Sequence, residues 1–483
     1  MKRGKKLGLM VVFLLFLVGA TILTRNMTAE VATDVEEDTS ILLYTLDEEK
    51  LTALTWEYGG ETITLCKKND EWMWEEDENF PVNPTKAENL VKVLDSVNAE
   101  LTIEKPDDPA QYGLDNPQCT ITVQAQEKTV FQIGTEKSMD GLSYLTMGDG
   151  KVYLVSSALA DAFSAGLYDL VQKESIPSMS QLDRMIVTSE VQEYEIDHIE
   201  DSGIAYTDSY EWFLKDGDGY LILDNSLASG FADKIRNLAW QSCVEYQADA
   251  DNLASYGLDH PAATVEMHYT QSTQVETNLK ADDGDPIYET VEEEKIFVLE
   301  IGDYADSGCY ARIAGSSMVY LVSSSLSDDL LYMDYDDLRP DDVILLDYSV
   351  LTGVEVTVEG QTACFEKVSR AVTDDEEETT VETVYLLDGE EKEIEDILRT
   401  VSSFVSAGFA DEVEAKRTPE ISFTFTQESE THPRFELVFY PYDSSYCLVT
   451  LDGESTVFVS RYDVEQLKDQ LTERINGETE TEE

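Results

Sequence analysis

Basic residues are scarce. Against 33 Lys and Arg stand 100 Asp and Glu, a formal net charge of −67 at pH 7. Nucleic acid and anionic lipid headgroups attach to proteins through Lys and Arg, so such a surface repels both. Cations and basic partners suit it better, and self-repulsion makes its stability depend on salt. Histidine is scarcer still: His198, His260, His268 and His432 have no partner at the spacing of a helical metal site. The six cysteines, Cys66, Cys119, Cys243, Cys309, Cys364 and Cys447, include no CxxC pair, and reduced core thiols are expected because a chain of this size needs no disulfide framework. GxSxG, Walker, HExxH and dinucleotide GxGxxG motifs are missing, which removes the motif grounds for those hydrolase, nucleotide and metalloprotease chemistries. No catalytic, cofactor or metal residue is therefore assigned.

Two weaker signals are set aside for physical reasons. Asp216-Gly217-Asp218-Gly219 begins like a calcium loop, but Tyr220 takes the third acidic position and no closing glutamate follows, so a Gly-rich hairpin turn is the reading. Trp56, Trp72, Trp74, Trp212 and Trp240 lie at strand or helix core spacing and are expected to pack rather than to stack on sugars. The acidic runs are expected to act as solvated loops that gather cations weakly.

What is present is organised from the N-terminus. Lys2, Arg3, Lys5 and Lys6 precede the apolar run Leu7 to Leu23, which as a helix spans about 26 Å at ~1.5 Å per residue, close to the hydrocarbon thickness. Residues 1–6 then form a basic cytoplasmic head, 7–24 a single-pass signal-anchor and 25–40 an acidic linker, with the C-terminal bulk outside. Val18-Gly19-Ala20 leaves a cleaved signal peptide as the alternative.

The rest is a duplication. Tyr112-Gly113-Leu114-Asp115-Asn116-Pro117 returns as Tyr256-Gly257-Leu258-Asp259-His260-Pro261, and Val152-Tyr153-Leu154-Val155-Ser156-Ser157 returns as Val319-Tyr320-Leu321-Val322-Ser323-Ser324. Glycine reaches positive φ, aspartate bonds its own backbone and proline stops a helix, so Tyr112, Gly113, Leu114, Asp115 and Pro117, with Tyr256, Gly257, Leu258, Asp259 and Pro261, form structural turns. Alternating residues after each turn predict a half-buried strand. His260 replaces Asn116, an exchange that suits a turn and not a catalytic base.

Repeat module 1 takes residues 41–178, with a helix capped by Asn83 that presents Ala87, Leu90, Val91, Leu94 and Val97. Module 2 takes 179–340, with Leu227, Phe231, Ile235 and Leu238 on its helix face and an acidic insert, Asp282 to Glu294, expected on a loop. A divergent module 3 takes 341–475, without the signature glycine but with Pro419 before Ile421-Ser422-Phe423-Thr424-Phe425; 476–483 is a polar tail. The fold class expected is α+β: tandem modules of mostly antiparallel sheet with two helices each, after one N-terminal transmembrane helix.

The anchor, the repeated Tyr-Gly-Leu-Asp-x-Pro turn, the Ile133-Gly134 and Ile301-Gly302 steps and the Val-Tyr-Leu-Val-Ser-Ser segments together resemble the domain of unknown function 4340 family over roughly residues 50 to 335. The resemblance implies a single-pass bacterial membrane protein associated with ABC transporters of the gliding-motility type, in an accessory or scaffold role, and supplies no catalytic residue. A non-enzymatic extracytoplasmic accessory protein is thus the first expectation, with transporter subunits as partners. An envelope polymer or cation binder is the second, and an envelope hydrolase the third.

Overall fold

The computed structural model describes residues 40–476 except 138–140, 281–285, 374–378 and 412. The anchor of residues 7–24, the basic head and the linker up to residue 39 lie outside the described residues, as does the tail after Asn476. Among the described residues no helix is long and apolar enough to cross a membrane. The described residues divide into two compact bodies, one up to Lys173 and one from Glu174 onward.

Three nine-stranded, antiparallel sheets carry the architecture. Counted in chain order within the second sheet, from Gln181–Ser189 to Val319–Val322, the strands lie side by side as fourth, third, second, first, sixth, seventh, eighth, ninth, fifth. The third sheet, from Leu351–Val358 to Glu454–Ser460, has the same order. In the first sheet the fourth strand is missing, Ile41–Thr45 is added beside the strand Ser96–Ile103, and the other eight keep that order. The divergent C-terminal unit is therefore built on the plan of the second.

Period-two patterning explains why these segments are strands. In the first sheet Ala53–Tyr58 buries Leu54 and Trp56, and Cys119–Gln124 buries Cys119, Ile121 and Val123. The register sets Trp56 against Ile121 and Leu54 against Val123, so one face is apolar throughout. Trp56 is fully buried, meets Phe163 edge-on at 5.7 Å and donates its indole N–H to the Ala165 carbonyl at 3.0 Å.

Each unit crosses its sheet once by helix. Pro84–Lys92 starts where Asn83 Oδ1 accepts the Lys86 N–H (3.0 Å), and it buries Ala87, Leu90 and Val91. Its counterpart Asn225–Arg236 is capped by Asp224 and buries Ala228, Phe231, Ala232 and Ile235. Leu227, expected on that face, is instead 46% exposed, because the cap at Asp224 sets the helical phase one residue later than the leucine spacing suggested. The third crossover helix is Glu395–Ser402. Closing helices follow the ninth strands at Ala158–Ala162, Ser324–Leu331 and Arg461–Asn476. Two helices per unit hold for the first and third units; the second adds Ala250–Ser255.

The acidic insert is not a loop along its length. Ala263–Lys280 and Pro286–Ala305 pair as a ribbon from Ala263↔Ile301 out to Lys280↔Pro286, because Val275, Ile287, Tyr288 and Val291 supply β-forming residues between the acids. All six thiols are free, and Cys119, Cys243, Cys309 and Cys447 are buried. Cys66 is half-buried and Cys364 is exposed, on the solvent side of its strand.

In the second body the second and third sheets share a core. Ala205, Tyr206, Tyr210 and Phe213 join the cluster built by the third sheet. The Leu345 N–H donates to the Tyr206 hydroxyl at 2.8 Å, and Gln427 donates its side-chain amide to the Tyr206 carbonyl at 2.7 Å. Burial pushes the Tyr206 phenol up to about 12 and raises Tyr194, Tyr210 and Tyr320 further. These phenols hold their protons in the folded state above the pH at which the unfolded chain releases them. Their contribution is thus complete below about pH 10 and is lost as pH rises toward their folded values. Urea unfolding at pH 8, 10 and 11 should show stability falling by up to ~1.4 kcal/mol per pH unit for each such tyrosine above pH 10, with a smaller slope in Tyr206→Phe.

Candidate functional site

The signature turns come first. Pro109–Tyr112 makes a single short helical turn capped by Asp108, whose carboxylate accepts the Ala110 N–H (3.1 Å), and Gly113 follows at φ 68°. In the second unit Asp249 caps the helix Ala250–Ser255, and Gly257 also takes φ 68°. Leu114 and Leu258 are buried, and Tyr112 packs on Tyr144 at 5.0 Å as Tyr256 packs on Tyr310 at 4.7 Å. Asp115 and Asp259 are exposed, Pro117 and Pro261 half-buried. Asp259 lies 3.9 Å from the exposed His260 ring, and among the described residues neither aspartate belongs to a cluster of three or more His, Cys, Asp or Glu.

The turn explains the second repeated motif. The Tyr112 and Tyr256 carbonyls lie over Gly134 and Gly302, where an added Cβ would come within 2.0 and 2.2 Å of the oxygen. Asp303 donates its N–H to the Tyr256 carbonyl at 2.9 Å, and the Thr135 hydroxyl donates to that of Tyr112 at 3.3 Å. Tyr-Gly-Leu-Asp and Ile-Gly are two halves of one joint.

Register places its remnant in the third unit. Ile421 faces Phe439 as Cys119 faces Ile133 and Ala263 faces Ile301, and Pro419 precedes Ile421 by the spacing of Pro117 and Pro261. Tyr440 therefore stands at the position of Gly134 and Gly302, and Glu414-Ala415-Lys416-Arg417 at that of Tyr-Gly-Leu-Asp. Both halves are lost together, since a side chain at 440 leaves no room for the carbonyl.

A second recurrent feature is a groove beside the crossover helix. Lys67 faces Trp72 across the second and third strands of the first unit, with its ammonium 5.8 Å from the ring centre. His198 faces Trp212 in the second unit, ring centres 4.8 Å apart, and Lys367 faces Tyr385 in the third. The three positions are equivalent, each four residues beyond Ile63, Tyr194 and Ala363, which pair with Trp56, Val187 and Val356 of their first strands.

In the first two units a cavity of about 690 Å³ opens beside this pair. Leu51, Trp72, Glu88 and Lys92 line the first, and Leu182, Trp212, Ser229 and Asp233 the second. In the third unit Tyr348 bridges the corresponding elements: its carbonyl accepts from the Lys367 ammonium at 2.5 Å, and its ring lies 5.5 Å from Arg399 of the crossover helix.

The two open grooves differ in chemistry. The first is lined by the carboxylates Glu48, Asp70, Glu71, Glu88 and Asp95 beside Lys67 and Lys92. The second holds a connected polar set. His198 Nε2 lies 3.4 Å from Glu211 Oε2, Asn225 accepts the Glu211 N–H at 3.0 Å, and Arg236 pairs with Asp233 and donates to the Ser229 hydroxyl at 3.2 Å. Among the described residues no hydroxyl or thiol hydrogen-bonds to His198. Nor does any group of three or more His, Cys, Asp or Glu converge at metal-ligating geometry among the described residues.

A family model described as Domain of unknown function (DUF4340) matches residues 72–202 and 212–420. The chain belongs to this family. The two DUF4340 matches begin at Trp72 and Trp212, the aromatic members of the grooves, and the second ends at Glu420, just before the third unit's post-turn strand. No curated protein and no solved structure matches the chain. The sequence pattern leads one to expect both tryptophans to pack and gives His198 no partner at the spacing of a helical metal site. The available signal was the recurring Glu71-Trp72 and Glu211-Trp212 dipeptide ahead of each capped helix.

Gly302→Ala should lower stability by about 1–3 kcal/mol through overpacking, read as a shifted urea midpoint. Gly230→Ala, on an exposed helix position with nothing within 4 Å of an added Cβ, should raise it by up to about 1 kcal/mol.

Proposed function

We propose that this chain is a non-enzymatic accessory or scaffold protein, anchored in a bacterial cell membrane by residues 7–24, that engages partner proteins on the outer side beside an ABC-type transporter. The observation that carries this reading is the triplicated sheet unit with equivalent open grooves in two copies. A chain that repeats one groove geometry with different linings engages a partner at more than one point, and linked weak contacts then reinforce each other through effective concentration. The basic head and apolar run support the anchor, and the acidic exterior favours basic protein surfaces over lipid or nucleic acid. The transporter as neighbour rests on the family resemblance.

The polar set confined to the second groove favours one further reading, recognition of an envelope polymer. In-cell crosslinking of the full-length protein, then mild detergent extraction and mass spectrometry, separates the two. Permease and ATPase subunits are expected in the wild-type sample and should fall several-fold in a Lys67→Glu, His198→Glu double variant. Wall polymer, or the protein alone, would overturn the transporter reading.

A further inference from the structure

The third unit did more than lose its signature joint. Where the first two units seat a tyrosine carbonyl on glycine, it leaves a cavity of about 390 Å³, lined among others by Lys416, Arg417, Tyr440, Pro441, Tyr442 and Leu448. We propose that this cavity binds a small, ring-bearing anion, a sugar acid or sugar phosphate, through Lys416 and Arg417.

The comparison between copies carries the argument. At the position of the buried Leu114 and Leu258 stands Lys416, and at that of the anionic Asp115 and Asp259 stands Arg417, so the local charge is inverted in this copy. Neither Lys416 nor Arg417 forms an ion pair among the described residues, in a chain where acids outnumber cations threefold. The nearby Asp443 carboxylate interacts with Arg417 through space without a salt bridge among the described residues. Asp443 accepts the Ser445 and Tyr446 N–H groups at 2.7 and 2.9 Å, and those bonds hold it below the usual carboxylate range. Glu414 also lines the cavity and selects against a bulky polyanion.

Chemistry decides the ligand class. A guanidinium fork matches a carboxylate or phosphate in two parallel hydrogen bonds, and a lysine adds a point charge. Tyr440 and Tyr442 supply flat amphipathic walls, and the buried Leu448 an apolar floor. The volume lies in the range of small-molecule sites, roughly 300–1,000 Å³. The wall is rigid on one side: Tyr442 packs on Phe458 at 4.7 Å, and the Ser455 hydroxyl donates to the Val413 carbonyl at 2.5 Å.

Calorimetric titration of the full-length protein in detergent with glucuronate, glucose 6-phosphate and glucose tests this. One or both anions should bind and glucose should not, and the tighter anion tells a carboxylate site from a phosphate site. A Lys416→Ala, Arg417→Ala double variant should lose at least tenfold in affinity with its melting temperature unchanged. Rebuilding the joint with Glu414→Tyr, Ala415→Gly, Lys416→Leu, Arg417→Asp and Tyr440→Gly should abolish binding by filling the cavity. The proposal is overturned if neither anion binds, if glucose binds as well as the anions, or if the double variant keeps wild-type affinity.

Discussion

A sheet that grows outward from its first strand reaches one edge after three or four strands and must then place the fifth on the far side, beside the ninth. In each unit one helix makes that crossing, capped by a side chain in the first two. Its apolar stripe has to cover the buried face, so its phase is set by the N-cap and its outer side falls beside the second and third strands. The groove is a consequence of this crossing. Leu51, Leu182 and Leu351 stand at equivalent positions in the three units; the third differs in that Tyr348, from the segment before its first strand, spans the corresponding elements.

The joint between turn and strand shows how duplication constrains divergence. A carbonyl seated on a glycine tolerates no Cβ, so neither half can change alone without backbone movement. The third unit changed both, with Tyr440 on one side and Glu414 to Arg417 on the other, and it kept the strand order regardless. The hydrogen bond from the residue before the post-turn strand survives as well: Gln118 donates to Ile133 at 2.8 Å and Glu420 to Phe439 at 2.9 Å. The sheet is held by its ladders and apolar face; the joint is an addition to it.

Charge sets the outer chemistry. The ion pairs described are mostly exposed, such as Lys68–Glu78 and Arg370–Glu382, and pairs of that kind contribute little each. The more sheltered Arg312–Glu300 pair is different: Arg312 also donates to the Leu258 carbonyl at 3.4 Å, tying the second signature turn to its sheet. Acids that remain unpaired face solvent, which favours basic partners.

The duplication, the turns at Gly113 and Gly257, the Asn83 cap and the Gly217 hairpin were legible in the sequence by itself, because each rests on local backbone chemistry that a few residues specify. The alternating patterns also marked most strands. Leu227 was misplaced because helix phase follows the cap and not the nearest leucine, and the insert before Lys295 was taken for a loop because its acids masked β-forming residues. Only the tertiary structure showed that the third unit repeats the strand order of the second, since order in a sheet is a matter of distant pairing. It alone joined Tyr112 to Gly134 and Tyr256 to Gly302, set His198 against Trp212 and Glu211, and opened a cavity at Lys416 and Arg417, because these contacts are made by register and packing between strands that the chain does not bring together locally.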